Sequence, residues 1–122
     1  MMRWLSLRIN SFRYAFRGFG LLFKGQINIC IHIVAAVLAV GLGFIFRITQ
    51  GEWLAVILSI VAVIAAEAFN TSIEKLTDIV SPEFNREAGK VKDIAAAAVL
   101  IISLGALVVG TVVFLPLILN LF

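Results

Sequence analysis

Three long stretches of this chain carry almost no charge, and they leave it few folds to choose from. Residues 27–46 contain one ionisable group, His32. Residues 53–66 contain none, and neither do residues 95–122. Each stretch, with its flanks, supplies the roughly 20 apolar residues that cross a hydrocarbon core. The second reaches that length only by taking in Glu67, Asn70 and Glu74. Charged residues make up 14% of the chain, where a soluble domain carries roughly 25%. Lipid offers no partner to a bare backbone, so spans of this kind are helices. The expectation is one all-α integral membrane domain over residues 1–122, with spans at about 28–46, 53–78 and 91–116. The chain is too short for a second domain, and its first apolar run is too long for a signal peptide. Cys30 is the one cysteine, so no internal disulfide forms.

Ahead of the first span, residues 3–24 interleave basic and aromatic side chains at helical spacing. Arg3, Arg13, Arg17 and Lys24 carry the charge, and Trp4, Leu7, Phe12, Phe16, Phe19 and Phe23 carry apolar surface. This pattern predicts a basic amphipathic helix lying in the interface of anionic lipid. Gly18, Gly20 and Gly25 weaken it and mark where the chain turns inward. Such a helix is either an anchor alone or a lid that also meets nucleotide phosphate. Lysine and arginine then set the orientation. Arg3, Arg8, Arg13, Arg17 and Lys24 precede the first span, and Lys75, Arg86, Lys90 and Lys92 flank the second connection. Only Arg47 lies on the other side. The positive-inside rule places the N-terminus and the 75–92 region in the cytoplasm and the C-terminus outside.

Glu67, Asn70, Glu74 and Asp78 follow one another at spacings of three, four and four, so they share a helix face. An ionised carboxylate at membrane depth costs several kcal/mol unless it is paired or meets a metal. One reading makes these acids interhelical partners of Lys75, Lys90 or Lys92. It suits Asp78 and fits Glu67 poorly, because Glu67 lies about two turns deeper than any lysine. The other reading is phosphoryl transfer, which needs a metal against phosphate charge, a base for the hydroxyl and a cation on the transferring group. Glu67 is then the base, Glu74 the ligand of a hard cation such as Mg²⁺, and Lys92 the cation. Asn70 stands one turn from each glutamate and is expected to hold both. Asp93 is expected to cap the third span or to orient Lys92. Glu67 and Asp78 are about 16 Å apart along the axis, too far for one metal to touch both. Burying Glu67 and Glu74 away from lipid calls for a homo-oligomer, and Gly105 and Gly110 offer close-approach surface for helix packing.

Other candidates are weaker. His32 has no second histidine or cysteine at ligand spacing on its face. No Walker-type glycine motif is present, and Gly18-Phe19-Gly20 is a faint echo of one. A nucleotide site in this chain is therefore built differently from that of a soluble kinase.

The string Glu67-Ala68-Phe69-Asn70-Thr71-Ser72-Ile73-Glu74-Lys75-Leu76-Thr77-Asp78 resembles the signature of the small bacterial integral-membrane diacylglycerol kinases, a family that includes undecaprenol kinases. The likeness continues through Ser81-Pro82-Glu83-Phe84, through Lys90-Val91-Lys92-Asp93-Ile94 and the four alanines after it, and upstream through residues 11–18 and Glu52-Trp53. It implies a homotrimer whose subunits each have a surface helix and three membrane helices. It implies transfer of the γ-phosphate of MgATP to a lipid hydroxyl at the cytoplasmic interface, with sites shared between subunits. On this likeness Glu67 is the catalytic base and Glu74 a metal ligand. Asn70, Asp78, Lys92 and Asp93 form the nucleotide and active-site shell, and Tyr14 and Arg17 approach the nucleotide. Two positions depart from the family pattern. Gln26 stands where a second metal-binding glutamate is usual, so it offers Mg²⁺ a neutral oxygen and no charge. Asn85 stands where histidine is common.

The expected function is an ATP-dependent lipid kinase of the cytoplasmic membrane, with diacylglycerol as the first choice of acceptor. The alternatives are undecaprenol as acceptor, or a degenerate member that no longer catalyses. A lipid scaffold and an oligomeric transporter are competing classes, and the uncharged third span speaks against a hydrated path along it. No nucleic-acid partner is expected.

Overall fold

The structure, a computed structural model, describes residues 2–24 and 27–121, with side chains from Leu7 onward. Four helices follow in order: α1 (Met2–Leu22), α2 (Ile27–Phe46), α3 (Gln50–Val80) and α4 (Arg86–Leu119). The last three are each long and apolar enough to cross a membrane. Gly25 and Gln26 lie outside the described residues.

α1 stands apart. It runs unbroken through Gly18 and Gly20, and among the described residues the chain leaves the helix at Phe23 and Lys24. It does not pack along any of the other helices to the extent that they pack on each other. Phe12, Phe16, Phe19 and Tyr14 on it are all exposed. A basic helix with this much exposed aromatic surface is suited to the membrane surface.

The connection between α2 and α3 is shorter than the gap between the expected spans 28–46 and 53–78. α2 ends with Arg47 in the left-handed region at φ 51°. The Ile48 amide reaches the Gly43 carbonyl at 3.2 Å and the Arg47 amide reaches that of Phe44 at 3.3 Å. This is the paired terminal bonding that closes a helix with one left-handed residue, here arginine rather than the usual glycine. Two residues later Thr49 opens α3. Its hydroxyl accepts from the Glu52 amide at 3.4 Å, and Glu52 Oε2 accepts from the Thr49 amide at 2.7 Å. The reciprocal cap satisfies two amides that would otherwise have no partner. α3 therefore begins at Gln50, about one turn before Trp53.

Trp53 and Gly43 fix the crossing of α2 and α3. A Cβ placed on Gly43 would lie 2.7 Å from the Trp53 ring, so the close approach needs glycine. Gly105 and Gly110, by contrast, face open space, and their expected part in close packing is not seen within one chain. Around Trp53 an apolar cluster of Ile48, Val56, Val113 and Phe114 ties the ends of all three spans together.

α3 and α4 form the main helix pair. They run antiparallel in one register that can be read at two places. Near the 81–85 connection Asp78 pairs with Lys92. Twenty-two residues further along each helix, Val56 and Phe114 share the apolar cluster. The pair keeps step over that whole length. At about 1.5 Å per residue, α3 and α4 are roughly 46 and 51 Å long, against a hydrocarbon core of about 30 Å. Their ends at the 81–85 connection thus extend past the apolar layer. Pro116 sits inside α4, which continues to Leu119 instead of stopping near residue 116.

Candidate active site

The polar residues of α3 form a graded stripe. Glu67 is 1% exposed, Asn70 5% and Thr71 3%. Glu74 is half-buried and Asp78 is exposed. Each step of three or four residues up α3 carries the next side chain further from the apolar cluster and nearer the 81–85 connection. The burial thus falls off along α3 toward the 81–85 connection.

Glu67 is enclosed by its own chain. A homo-oligomer was expected to bury Glu67 and Glu74 from lipid, and the single chain already buries Glu67. The half-burial of Glu74 leaves that carboxylate open on one side. Glu67 Oε1 is buried and accepts no hydrogen bond from any described residue. Lys75, Lys90 and Lys92 do not reach it. Lys90 bonds Glu87 at 2.7 Å one turn away, and Lys92 bonds Asp78. The ion-pair reading therefore holds for Asp78 and fails for Glu67.

Asn70 does half of what was expected of it. Its Nδ2 donates to Glu74 Oε1 at 3.0 Å, which fixes that carboxylate. It makes no bond to Glu67, and its own Oδ1 is buried without a donor. Two acceptor oxygens, Glu67 Oε1 and Asn70 Oδ1, thus lie within one turn with nothing to accept from. Buried acceptors of this sort cost about 1–3 kcal/mol each, so a donor from water, a ligand or a neighbouring subunit would stabilise this region.

Lys92 is positioned by Asp78 on the neighbouring helix, not by Asp93. Its side chain remains 37% exposed, so an anion can reach the ammonium. Asp93 is exposed, and α4 begins seven residues before it, so its expected role as a helix cap is also corrected. The cap is Asn85, whose Oδ1 accepts from the Glu87 and Ala88 amides at 2.9 and 3.3 Å. The departure from histidine at this position thus has a structural use.

Tyr14 and Arg17 lie with Arg13 on one exposed face of α1. Among the described residues neither bonds to the α3 stripe. Gln26 lies outside the described residues. No three acidic, histidine or cysteine side chains gather as a metal cage among the described residues. The donor set matches a different use of Mg²⁺. That ion is commonly held by one or two carboxylates and the phosphates of its nucleotide. Glu74, half-buried and already oriented by Asn70, fits such a role.

Two further side chains belong to this region and are not evident from the acidic spacing. Thr71 Oγ1 and Ser103 Oγ are both buried without a partner. Thr71 lies four residues after Glu67, a signal present in the sequence. Ser103 is the one hydroxyl in α4 before Thr111, but its place opposite α3 needs the register.

The chain also compares with known proteins. Residues 13–114 match the profile of the family described as prokaryotic diacylglycerol kinase. An undecaprenol kinase of Bacillus subtilis is 30% identical over 106 residues, covering 87% of this chain and 86% of that protein. A diacylglycerol kinase of Synechocystis is 31% identical over 112 residues, covering 91% of this chain and 64% of that protein.

Proposed function

The chain belongs to the prokaryotic diacylglycerol kinase family, and on that footing we propose that it transfers the γ-phosphate of MgATP to the hydroxyl of a membrane lipid, with undecaprenol as the acceptor. The sequence reading put diacylglycerol first. The order is reversed because the two relatives are equally identical, yet the undecaprenol kinase is matched along 86% of its length and the diacylglycerol kinase along 64%. The observation that carries the catalytic reading is Glu67 Oε1, a buried carboxylate oxygen with no donor.

In this reading the lipid hydroxyl donates to Glu67, which takes its proton as the oxygen attacks. The new bond joins the lipid oxygen to the γ-phosphorus. The bond from that phosphorus to the bridging oxygen breaks, and ADP leaves. Glu74, held by Asn70, would be the carboxylate that holds the magnesium brought with the nucleotide. That ion offsets phosphate charge when bound. Lys92, steadied by Asp78, supplies a fixed positive charge to the phosphates, and Asp93 lies in the nucleotide shell beside it. Tyr14 and Arg17 meet the nucleotide from α1 lying across the cytoplasmic face. Gln26, next to Ile27 in the sequence, would offer the magnesium a second and neutral oxygen. The enzyme works as a homotrimer in the cytoplasmic membrane. Basic residues on α1 and around residues 75–92 support a cytoplasmic site.

The test is label transfer from γ-labelled ATP to undecaprenol and to diacylglycerol, offered in parallel to purified protein in micelles with Mg²⁺. Label on undecaprenol is expected. Label on diacylglycerol alone would restore the other acceptor, and label on neither would overturn the kinase reading in favour of a degenerate member.

A further inference from the structure

Hydroxyl side chains inside these helices have a common habit. Ser11, Ser59, Ser72, Thr77 and Thr111 each donate to the carbonyl four residues back, at 2.7–3.0 Å. That bond is the ordinary way to satisfy a hydroxyl in an apolar helix. Among the described helical serines and threonines, Thr71 and Ser103 are the two that do not make it, and both oxygens are buried. Ser103 is the more telling, because it lies on the other helix.

The register locates it. From the Asp78–Lys92 pair, eleven residues back along α3 reach Glu67, and eleven forward along α4 reach Ser103. Eleven residues make about three turns, so each side chain returns to the face used by the ion pair. The Val56–Phe114 contact lies a further eleven residues along both helices and keeps the same step. Ser103 therefore stands at the depth of Glu67, across the α3–α4 interface. Neither bonds the other. Ser103 also lines an apolar cavity of about 590 Å³ between α2, α3 and α4, together with Val63 and Ile64, which precede Glu67 by one turn.

We infer that Ser103 binds the hydroxyl of the lipid acceptor opposite Glu67, and that the acceptor's hydrocarbon chain runs from there into this cavity. Ser103 Oγ–H donates to the alcohol oxygen, and the alcohol's own proton points to Glu67 Oε1. One ligand hydroxyl thus satisfies both side-chain oxygens. The apolar walls formed by Ala106, Val109, Gly110 and Phe114 accept a prenyl or acyl chain. The inference rests on the lipid-kinase reading for the identity of its ligand, but its geometry can be tested without catalysis.

The experiment measures binding of farnesol and of the parent hydrocarbon farnesene to the purified full chain in micelles, without nucleotide or magnesium. The wild type is expected to prefer the alcohol. Ser103→Ala should shrink that preference by about five- to tenfold, the worth of one buried hydrogen bond, and Ser103→Thr should keep it. In turnover, Ser103→Ala should raise KM for the lipid and leave KM for MgATP unchanged. An alcohol preference as large in Ser103→Ala as in the wild type overturns the inference, and so does a wild type that binds both ligands equally. Altered assembly of Ser103→Ala with the preference intact also overturns it, by assigning the hydroxyl to packing. A wild type that prefers the alcohol but transfers no phosphate defeats the kinase reading and leaves the binding site standing.

Discussion

Glu67 is a residue whose chemistry and stability pull in opposite directions. Its carboxylate lies in an apolar interface with one oxygen unbonded, an arrangement that weakens the fold it belongs to. Glu67→Gln preserves the shape and removes the proposed base. Phosphoryl transfer should fall roughly 10²–10⁴-fold, the usual contribution of a general base, with assembly unchanged on a sizing column. Glu67→Leu should be equally inactive and yet resist thermal unfolding better than the parent, by about 1–3 kcal/mol. A destabilised Leu variant would mean that Glu67 has a structural partner. Glu74 is the complementary case. It is half-buried, bonded to Asn70 and open on one side, so its loss should act on the metal. Glu74→Gln should raise the Mg²⁺ concentration for half-maximal activity, and Gln26→Glu should lower it, both read from a magnesium titration at saturating ATP. Equal magnesium dependence in all three proteins would remove both residues from the metal's surroundings.

Among the elements, the helix ends were the part least legible in the sequence. The three apolar helices and the basic helix before them follow from charge-free length and periodicity, and all four helices are present. Their limits were set by local chemistry that hydropathy does not see. The Thr49–Glu52 cap was spelled out in the sequence, as threonine and glutamate three apart, yet the hydrophobic run beginning at Trp53 masked it. Asn85 was read as a departure from a functional pattern, and it proves to be the cap of α4. Asp93, placed at a helix start, lies two turns inside the helix. The acidic stripe itself was fully legible, because its spacing is a property of α3 alone. Ser103 was not, because its meaning depends on how α3 and α4 are aligned. The same distinction explains the glycines. Gly105 and Gly110 were chosen for being small, while the contact that needs a missing side chain is at Gly43, against Trp53. The Trp53 ring also packs on Phe44, with centroids 4.9 Å apart, so it has little room to move aside. Gly43→Ala should therefore destabilise the protein by about 1–3 kcal/mol, seen as a lower unfolding temperature in micelles. Unchanged stability would show that Trp53 yields freely.

For the whole molecule, polarity is divided between two ends. One end is closed by the apolar cluster around Ile48, Val56 and Phe114, and the other carries Glu74, Asp78, Lys92 and the 81–85 connection. With three crossings, α1 and that connection lie on one side, and the α2–α3 turn and the C-terminus lie on the other. In cells, single cysteines at Ser11 and Glu83 should stay dark to a membrane-impermeant thiol reagent, and one at Asn120 should react, each in a Cys30→Ser background. Reaction at Ser11 and Glu83 with Asn120 dark would reverse the orientation and detach the proposed site from cytosolic ATP.

Because Asp78–Lys92 and Val56–Phe114 peg the two long helices at both ends, the stretch between them tolerates exchange of side chains far better than a change in their number. A single residue inserted into α3 between Val56 and Glu67 would swing every later side chain by about 100° relative to α4. The chain would still be long enough to span, but its acid would turn toward the lipid. The 81–85 connection lies outside both pegs, so lengthening it would leave the active face in phase.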